Sequence, residues 1–506
     1  MKYEFLHKEN TGRLIIIFAG WSTGPDFYRH INLPGWDVML VYGYSDFHFP
    51  YSIFDEYPTV ALFAWSLGVF MASKTIPFER LSLAVAVNGT ETPVNDRSGI
   101  PIDIFKGTIT TLNERNLKKF RMRMCGNQNF LRISESGLFP PLSDSSDSEQ
   151  DSSNSEQDSS DSKQANSDPV SSERGESIAQ LKNQLEFVAA ESTDSSVDNS
   201  TLWHRVYVST DDRIFPVSAQ KTAWENHPSH PEIILLNEPH YVDLDNIIRT
   251  ALPAKDKVAL HFHKALSTYD DQAKAQRTIA ERLTDFPGGT PLPPKKVLEI
   301  GPGSGIFTRL FAQRFQPQEI DFVDLYPLPH FGVAPNENYF AADAEEWIST
   351  RSSGSYDAII SASAIQWFAN PELFFKNAAR LLRPGGLLLC STFIPGNLVE
   401  MKAVNPFGLI YRRIEELEKM IGKFFMFAKL EEEEMIIRFE SPRETLRHLK
   451  ETGVGGGLAT GRSPRELLAV TPLSLTYRPL YIYAVKTPDT TSDTLSPTQQ
   501  TINLKP

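Results

Sequence analysis

Short apolar runs recur along the chain and alternate with amphipathic stretches. Residues 14–18 (LIIIF) are β-branched and bounded by turn formers, the pattern of a strand buried on both faces. Residues 38–42, 60–64 and 83–87 repeat it, and residues 67–74 suit a helix leaving a strand. Helical periodicity returns at 178–187, followed by strand patterns at 205–209 and 232–236. Such alternation predicts a parallel sheet. A second series opens at 295–300 (KKVLEI) and continues through 319–324, 338–342, 356–361 and 387–393, with a helix over 307–315. Two α/β domains are expected, over residues 1–250 and 257–486, with the junction near 250–257.

One stretch departs from this rhythm. From Ser143 the chain reads SDSSDSEQDSSNSEQDSSDSKQ, without apolar periodicity. That composition buries too little surface to offset the entropy of ordering, so residues 142–177 are expected to form a disordered acidic insert within the first domain. The Thr/Ser/Pro-rich tail 487–506 is expected to be flexible. The insert also changes the charge picture. Net charge is −13 over 506 residues, but 143–177 holds ten acidic residues against Lys163 and Arg174, leaving about −5 elsewhere. Nothing in that balance points to nucleic acid. Cys125 and Cys390 fall in different domains, and neither has a partner at metal-ligand spacing, so neither disulfide nor metal is expected. The opening MKYEFLHKENTGR is too polar for a signal peptide, and no apolar run approaches the about 20 residues of a membrane span. A cytoplasmic protein without membrane contact is expected.

Candidate chemistry begins at Ala64-Trp65-Ser66-Leu67-Gly68. A nucleophile at a sharp strand-to-helix turn needs small residues two before and two after it, which Ala64 and Gly68 supply. A serine capping a helix would fit the same five residues equally well. Later strands supply partners: 205–209 leads into Asp211-Asp212-Arg213-Ile214-Phe215-Pro216, and 232–236 into Pro239-His240-Tyr241. Ser, Asp, His is the chain order of α/β-hydrolases. Ser66 is the expected nucleophile, His240 the base and then acid, and Asp212 the orienting carboxylate, with Asp211 as its rival. The oxyanion donors are expected to be the backbone N–H groups of Leu67 and of Trp21, which follows Gly20. His204, His227 and His230 lie in polar surroundings and are expected at the surface.

The second series carries a different constellation. Glu299, Gly301, Gly303 and Gly305 close the strand 295–300, where glycines admit a cofactor to the backbone and a carboxylate can meet an ammonium. Asp324 ends the next strand, suited to ribose hydroxyls, and Asp343 the third, suited to an adenine amino group. Ser361-Ala362-Ser363-Ala364-Ile365-Gln366-Trp367 faces the place of methyl transfer, and LLRPGG at 381–386 turns helix into strand. Glu299 and that turn favour S-adenosylmethionine over NAD. The expected fold is Rossmann-like, that of class I methyltransferases.

The C-terminal half resembles the malonyl-acyl-carrier-protein O-methyltransferases of biotin synthesis. The resemblance rests on Phe262-His263-Lys264-Ala265, Tyr269-Asp270, Gln276, LEIGPGSG, SASAIQWF, LLRPGG, Thr392-Phe393 with Gly396-Asn397-Leu398, SPRETLRHLKETGVGG and LTYRPLYIYAV. It implies a methyl-transfer pocket with Tyr269, Gln366 and Trp367. The N-terminal half is similar to the short pimeloyl-acyl-carrier-protein methyl ester esterases, through FAGWST, AWSLGV, Asn88-Gly89-Thr90, DDRIFP and EPHY, with the acidic insert as a departure. Together these imply an enzyme that caps the carboxylate of malonyl carrier protein and uncaps the elongated product. The basic stretch Arg115–Arg123, with Lys118, Lys119 and Arg121, could meet an acidic acyl carrier protein or be a solvated lid helix. Two alternatives stay open: a general carboxyl methyltransferase fused to a general esterase, and a scaffold in which one catalytic half has decayed.

Overall fold

The structure, a computed structural model, describes residues 1–126, 129–131, 133, 139, 176–192, 201–252, 255–285, 294–452 and 463–486. The acidic insert up to residue 175 and the tail 487–506 lie outside these residues. Glu176 and Ser177, assigned above to the insert, are described. Ser177 caps the helix Ile178–Glu191, its side chain and that of Gln180 each accepting from the other's backbone N–H. The chain divides into two compact units, Met1–Ala254 with Pro406–Ile410, and Lys255–Asn405 with Tyr411–Pro506.

The first unit is a seven-stranded sheet: β1 (Lys2–His7), β2 (Arg13–Phe18), β3 (Asp37–Tyr42), β4 (Thr59–Trp65), β5 (Leu83–Val87), β6 (Arg205–Ser209) and β7 (Glu232–Leu236), in the order β1-β3-β2-β4-β5-β6-β7. From β3 to β7 every pairing is parallel. Helices cover such a sheet on both faces, which is why Leu14 to Phe18 are apolar at every position and fully buried. Strand β1 was not expected from the sequence. It is antiparallel to β3 at the edge, and its half-exposed KYEFLH carries little apolar signal.

Where β4 meets the helix Leu67–Thr75, Ser66 adopts φ 58° and ψ −126°, outside the regions open to most L-residues. The turn is forced by close packing. A Cβ on Gly68 would lie 2.5 Å from the Phe18 carbonyl oxygen, and one on Gly89 would lie 2.2 Å from that of Ser66.

The second unit holds β8 (Lys296–Ile300), β9 (Glu319–Asp324), β10 (Asn336–Ala341), β11 (Tyr356–Ser361), β12 (Leu382–Phe393), β13 (Phe427–Glu432), β14 (Met435–Arg438), β15 (Ser474–Tyr477) and β16 (Pro479–Val485). The main sheet runs β10-β9-β8-β11-β12-β16-β13, with β16 antiparallel to both neighbours, while β14 and β15 pair separately. Alternate residues enter two cores: Leu298, Ile300, Leu388 and Cys390 on one face, Val297, Ala358, Leu387 and Leu389 on the other. Strand order reverses between β8 and β11, which opens a crevice at the carboxyl ends of these strands.

Gly68→Ala tests the packing of the turn. Helix propensity alone would stabilise the substitution by up to about 1 kcal/mol. Because the intruding Cβ meets fixed backbone, the clash should win, and urea denaturation should report a loss of about 1–3 kcal/mol in the first unit.

Candidate active sites

In the first unit the carboxyl ends of four parallel strands supply one constellation. Ser66 follows β4, Asp212 follows β6, His240 follows β7 and Trp21 follows β2. Ser66 Oγ lies 2.9 Å from His240 Nε2, and His240 Nδ1 lies 2.8 Å from Asp212 Oδ2. Since a carboxylate only accepts, Nδ1 carries the ring proton of a neutral His240 and Nε2 is left to receive the Ser66 proton. Asp212 is itself held: Oδ1 accepts from the N–H groups of Ile214 and Phe215, both at 2.8 Å, and Oδ2 from Gln220 Nε2 at 3.0 Å. Asp211, the rival carboxylate, is exposed and faces Arg213 at 3.7 Å.

Two positioning residues emerge only in three dimensions. Trp65 Nε1 and Asn88 Nδ2 both donate to the His240 carbonyl, at 3.1 and 2.7 Å, and the Trp65 ring lies 5.6 Å from the imidazole. The Trp21 side chain is fixed in the core, its Nε1 donating to Leu181 O at 3.0 Å. The backbone N–H groups of Trp21 and Leu67 have no acceptor among the described residues.

Three expectations about charged and polar side chains are corrected. His204 and His227 are buried, not at the surface. His204 Nδ1 accepts from Ala84 N at 3.0 Å, and His227 is held by Ser229 Oγ at 2.8 Å, so both act as polar core ties. Only His230 of that group is exposed. Arg121 does not share the solvated face of Lys118 and Lys119. Its Nη2 donates to Ser22 O at 3.2 Å, its guanidinium lies 4.6 Å from the Phe139 ring centroid, and burial lowers it to about 10. The cations that do share a surface are Lys119, Arg123 and Arg213, which line a groove of about 670 Å³ bordered by Asp211 and Pro239.

In the second unit a cavity of about 130 Å³ occupies the crevice beside β8. Gly301 and Gly303 line it with φ of 65° and 56°, whereas Gly305, at φ 82°, is not among the lining residues and instead caps the helix Ile306–Phe315. A Cβ on Gly301 would come within 2.6 Å of Ala364. Glu299 and Asp324 both line the cavity. Glu299 Oε2 is buried without a hydrogen-bond partner among the described residues, and burial pushes its carboxyl up to about 8. Asp324 is pushed to about 6 by burial, although it accepts from the N–H groups of Gly303 and Leu325. A partnerless buried carboxylate calls for a cation, and the ammonium of a methionine moiety is one. The acidic groups of this cradle fit S-adenosylmethionine, whose ammonium and ribose hydroxyls Glu299 and Asp324 would meet.

Asp343 reaches the same cavity, but its carboxylate is engaged by Lys255 Nζ at 2.6 and 2.7 Å, and Lys255 also meets Glu345 at 2.5 Å. An adenine amino group would share Asp343 with that lysine. Tyr269 and Trp367 line the cavity, their rings flanking Phe262 at 6.4 and 5.8 Å. Gln366 is not among the lining residues; its Nε2 donates to Ser363 O at 2.5 Å. Gln276 takes a place there instead, buried, with Oε1 unpartnered among the described residues. Lys255 belongs to no loop motif and carries no sequence signal, whereas Gln276 entered only through the family resemblance, without an assigned role.

Comparison with known proteins gives this geometry a class. A family described as "Methyltransferase domain" matches residues 271–453, and one described as "Pimeloyl-ACP methyl esterase BioG" matches residues 1–142. The second unit is a Rossmann-like methyltransferase domain, and its cofactor is S-adenosylmethionine. A malonyl-(acyl-carrier protein) O-methyltransferase of Bacteroides fragilis is 30% identical over 500 residues, 93% of this chain and 92% of its own length. The chain belongs to that family, with a BioG segment ahead of the methyltransferase domain. A like-named protein of Porphyromonas gingivalis is 38% identical over 247 residues, 45% of this chain and 94% of its own. A crystal structure of BioG from Haemophilus influenzae is 29% identical and covers 48% of this chain and 94% of that chain, with a TM-score of 0.38.

Glu299 makes a testable demand on pH. Its folded-state carboxyl sits near 8, above the ordinary 4.5, so the fold favours the protonated form. The stability this contributes is present in acid and is lost as pH rises from about 4.5 through 8. Without cofactor, Glu299→Gln should therefore melt higher than the wild type at pH 9, with the gap closing towards pH 5. The same variant should bind S-adenosylmethionine more weakly in calorimetry.

Proposed function

We propose that the chain is a bifunctional enzyme of biotin-precursor synthesis. Its C-terminal unit methylates the free carboxylate of malonyl acyl carrier protein, and its N-terminal unit hydrolyses the methyl ester of pimeloyl acyl carrier protein. The observation that carries the second activity is the hydrogen-bonded series Ser66, His240, Asp212, at 2.9 and 2.8 Å, in a chain of the methyltransferase family. The strained turn at Ser66 and the parallel order of β2 to β7 support reading the first unit as an α/β-hydrolase.

On this reading Ser66 Oγ attacks the ester carbonyl as His240 Nε2 takes its proton. Asp212 remains a carboxylate and stabilises the imidazolium. The amides of Trp21 and Leu67 receive the oxyanion. His240 returns the proton to the departing methanol, and water, activated in the same way, releases the acid and frees Ser66. Phe27, stacked at 5.9 Å on Trp65 and 5.4 Å from Tyr241, provides an apolar wall for an acyl chain. Lys119, Arg123 and Arg213 offer the acidic carrier a cationic face.

In the other unit, bound S-adenosylmethionine supplies an electrophilic methyl group, which a carboxylate accepts without needing a base. The chain's part is to hold and to dry. Glu299 and Asp324 fix the two ends of the cofactor, while Phe262, Trp367 and Phe368 keep water from the acceptor.

Two measurements test the assignment. Ser66→Ala should lower hydrolysis of pimeloyl-carrier methyl ester by about 10⁴-fold or more and leave methylation intact. Gly303→Arg should abolish methylation and spare hydrolysis, so each variant should rescue only one of two strains lacking a single activity. Free malonate methylated as fast as the carrier-linked acid would favour the general-enzyme alternative. Methylation and hydrolysis on one chain would also cycle idly if the esterase accepted the short ester. Its kcat/KM should therefore be at least about tenfold higher for the seven-carbon than for the three-carbon methyl ester, since each buried methylene contributes about 0.8 kcal/mol. Equal rates would remove chain-length selection from the scheme.

A further inference from the structure

We propose that a closed ring of hydrogen bonds through Gly20, Tyr28 and Thr23 aims the Trp21 amide at the ester oxyanion, an inference that rests on the esterase reading above. Gly20 N lies 3.1 Å from Tyr28 Oη, Tyr28 Oη lies 2.9 Å from Thr23 Oγ1, and Thr23 Oγ1 lies 2.6 Å from Gly20 O. The direction of every bond follows from valence. A carbonyl only accepts, so Thr23 spends its one hydroxyl proton on Gly20 O. Tyr28 must then donate to Thr23 and accept from Gly20 N. Burial pushes the Tyr28 phenol upward, which keeps its proton in place. Each bond in such a ring polarises the next.

The ring acts on Trp21 through peptide geometry. Gly20 C=O and Trp21 N–H belong to one planar trans peptide and point in opposite directions. Holding the carbonyl therefore sets the direction of the N–H. The preceding peptide is held at both ends as well, because Tyr44 Oη donates to Ala19 O at 2.6 Å while Gly20 N meets Tyr28. Of the four polar groups in these two peptides, Trp21 N–H alone has no hydrogen-bond partner among the described residues. It is a donor fixed in direction and left without a partner, which is what a developing oxyanion requires.

Two features show that the loop is held by its surroundings. Ser22 sits at φ 65°, in the left-handed region that favours glycine. Gly20 has no room for a side chain, since a Cβ would meet the Trp65 ring at 2.7 Å. The same indole holds the His240 carbonyl, so the oxyanion loop and the base share one wall. Thr23 and Tyr28 are thus positioning residues: they touch no reacting atom and act through the Trp21 amide.

The test uses the full chain and p-nitrophenyl butyrate. Removal of an oxyanion donor costs about 10²–10³-fold in kcat, so misdirecting one should cost about 10–100-fold. Thr23→Val should lower kcat by that factor with KM within about twofold of the wild type and an unshifted pH–rate profile. Thr23→Ser, which keeps the hydroxyl, should recover most of the loss. Tyr28→Phe should act in the same direction and guards against misfolding of the valine variant. Wild-type kcat in Thr23→Val and Tyr28→Phe, a KM rise that accounts for the loss, or a serine variant as slow as the valine one would overturn the proposal. An ester untouched by the wild type, or cleaved equally by Ser66→Ala, would instead overturn the esterase reading and take this proposal with it.

Discussion

A parallel strand cannot turn back on itself through a short hairpin; its chain must leave the sheet at the carboxyl end and return through a crossover. Every reactive group described here inherits its position from that constraint. In the first unit Trp21, Ser66, Asp212 and His240 follow β2, β4, β6 and β7, so four segments are brought to one edge, with Ser66 and His240 in contact across 174 residues. In the second, Glu299 and Asp324 lie at the carboxyl ends of β8 and β9, and Asp343 follows β10, at the corresponding edge. The antiparallel strands β1 and β16 contribute none of these residues.

The two units treat a buried carboxylate in opposite ways, and the difference is chemical. Asp212 receives two backbone N–H groups, an amide and an imidazole, so its charge is met entirely by protein. On the proposed reading, that suits a group which must stay in one place while the imidazole beside it gains and loses a proton. Glu299 has one oxygen with no donor, and burial raises its carboxyl to about 8. A site completed by its own protein has no call for a ligand cation, whereas one left incomplete gains stability only when the cation arrives. On the proposed reading, Glu299 is therefore costly to the empty domain and useful to the loaded one.

Much of this was legible in the sequence because the determinants are local. The central strands announce themselves as β-branched runs, Ser66 sits in a turn whose small neighbours are dictated by adjacent backbone, and Gly301 and Gly303 sit in a loop whose positive φ favours glycine. What the sequence left open was decided by contacts between distant segments. Asp211 and Asp212 are indistinguishable as text; only the tight turn that gives Asp212 the N–H groups of Ile214 and Phe215 turns it toward the imidazole. His227 reads as polar surface until Ser229 folds onto it, and Arg121 reads as one more cation until its guanidinium is seen against Ser22 and Phe139. Edge strand β1 escaped because a half-exposed strand has no apolar run to display. Lys255 escaped because its meaning lies 88 residues away, at Asp343.

The same contrast bears on why opposed reactions can coexist on one chain. Methyl transfer to a carboxylate is hindered by water, which solvates the acceptor, and the cavity beside β8 is walled by Phe262, Trp367 and Phe368. Ester hydrolysis consumes water and, on the proposed reading, must admit it after methanol leaves. On the proposed reading the two reactions are not each other's reverse: one consumes a sulfonium methyl donor and the other consumes water. The direction of each step is then set by its co-substrate, and what remains for the pockets to select is which acyl chain length reaches Ser66.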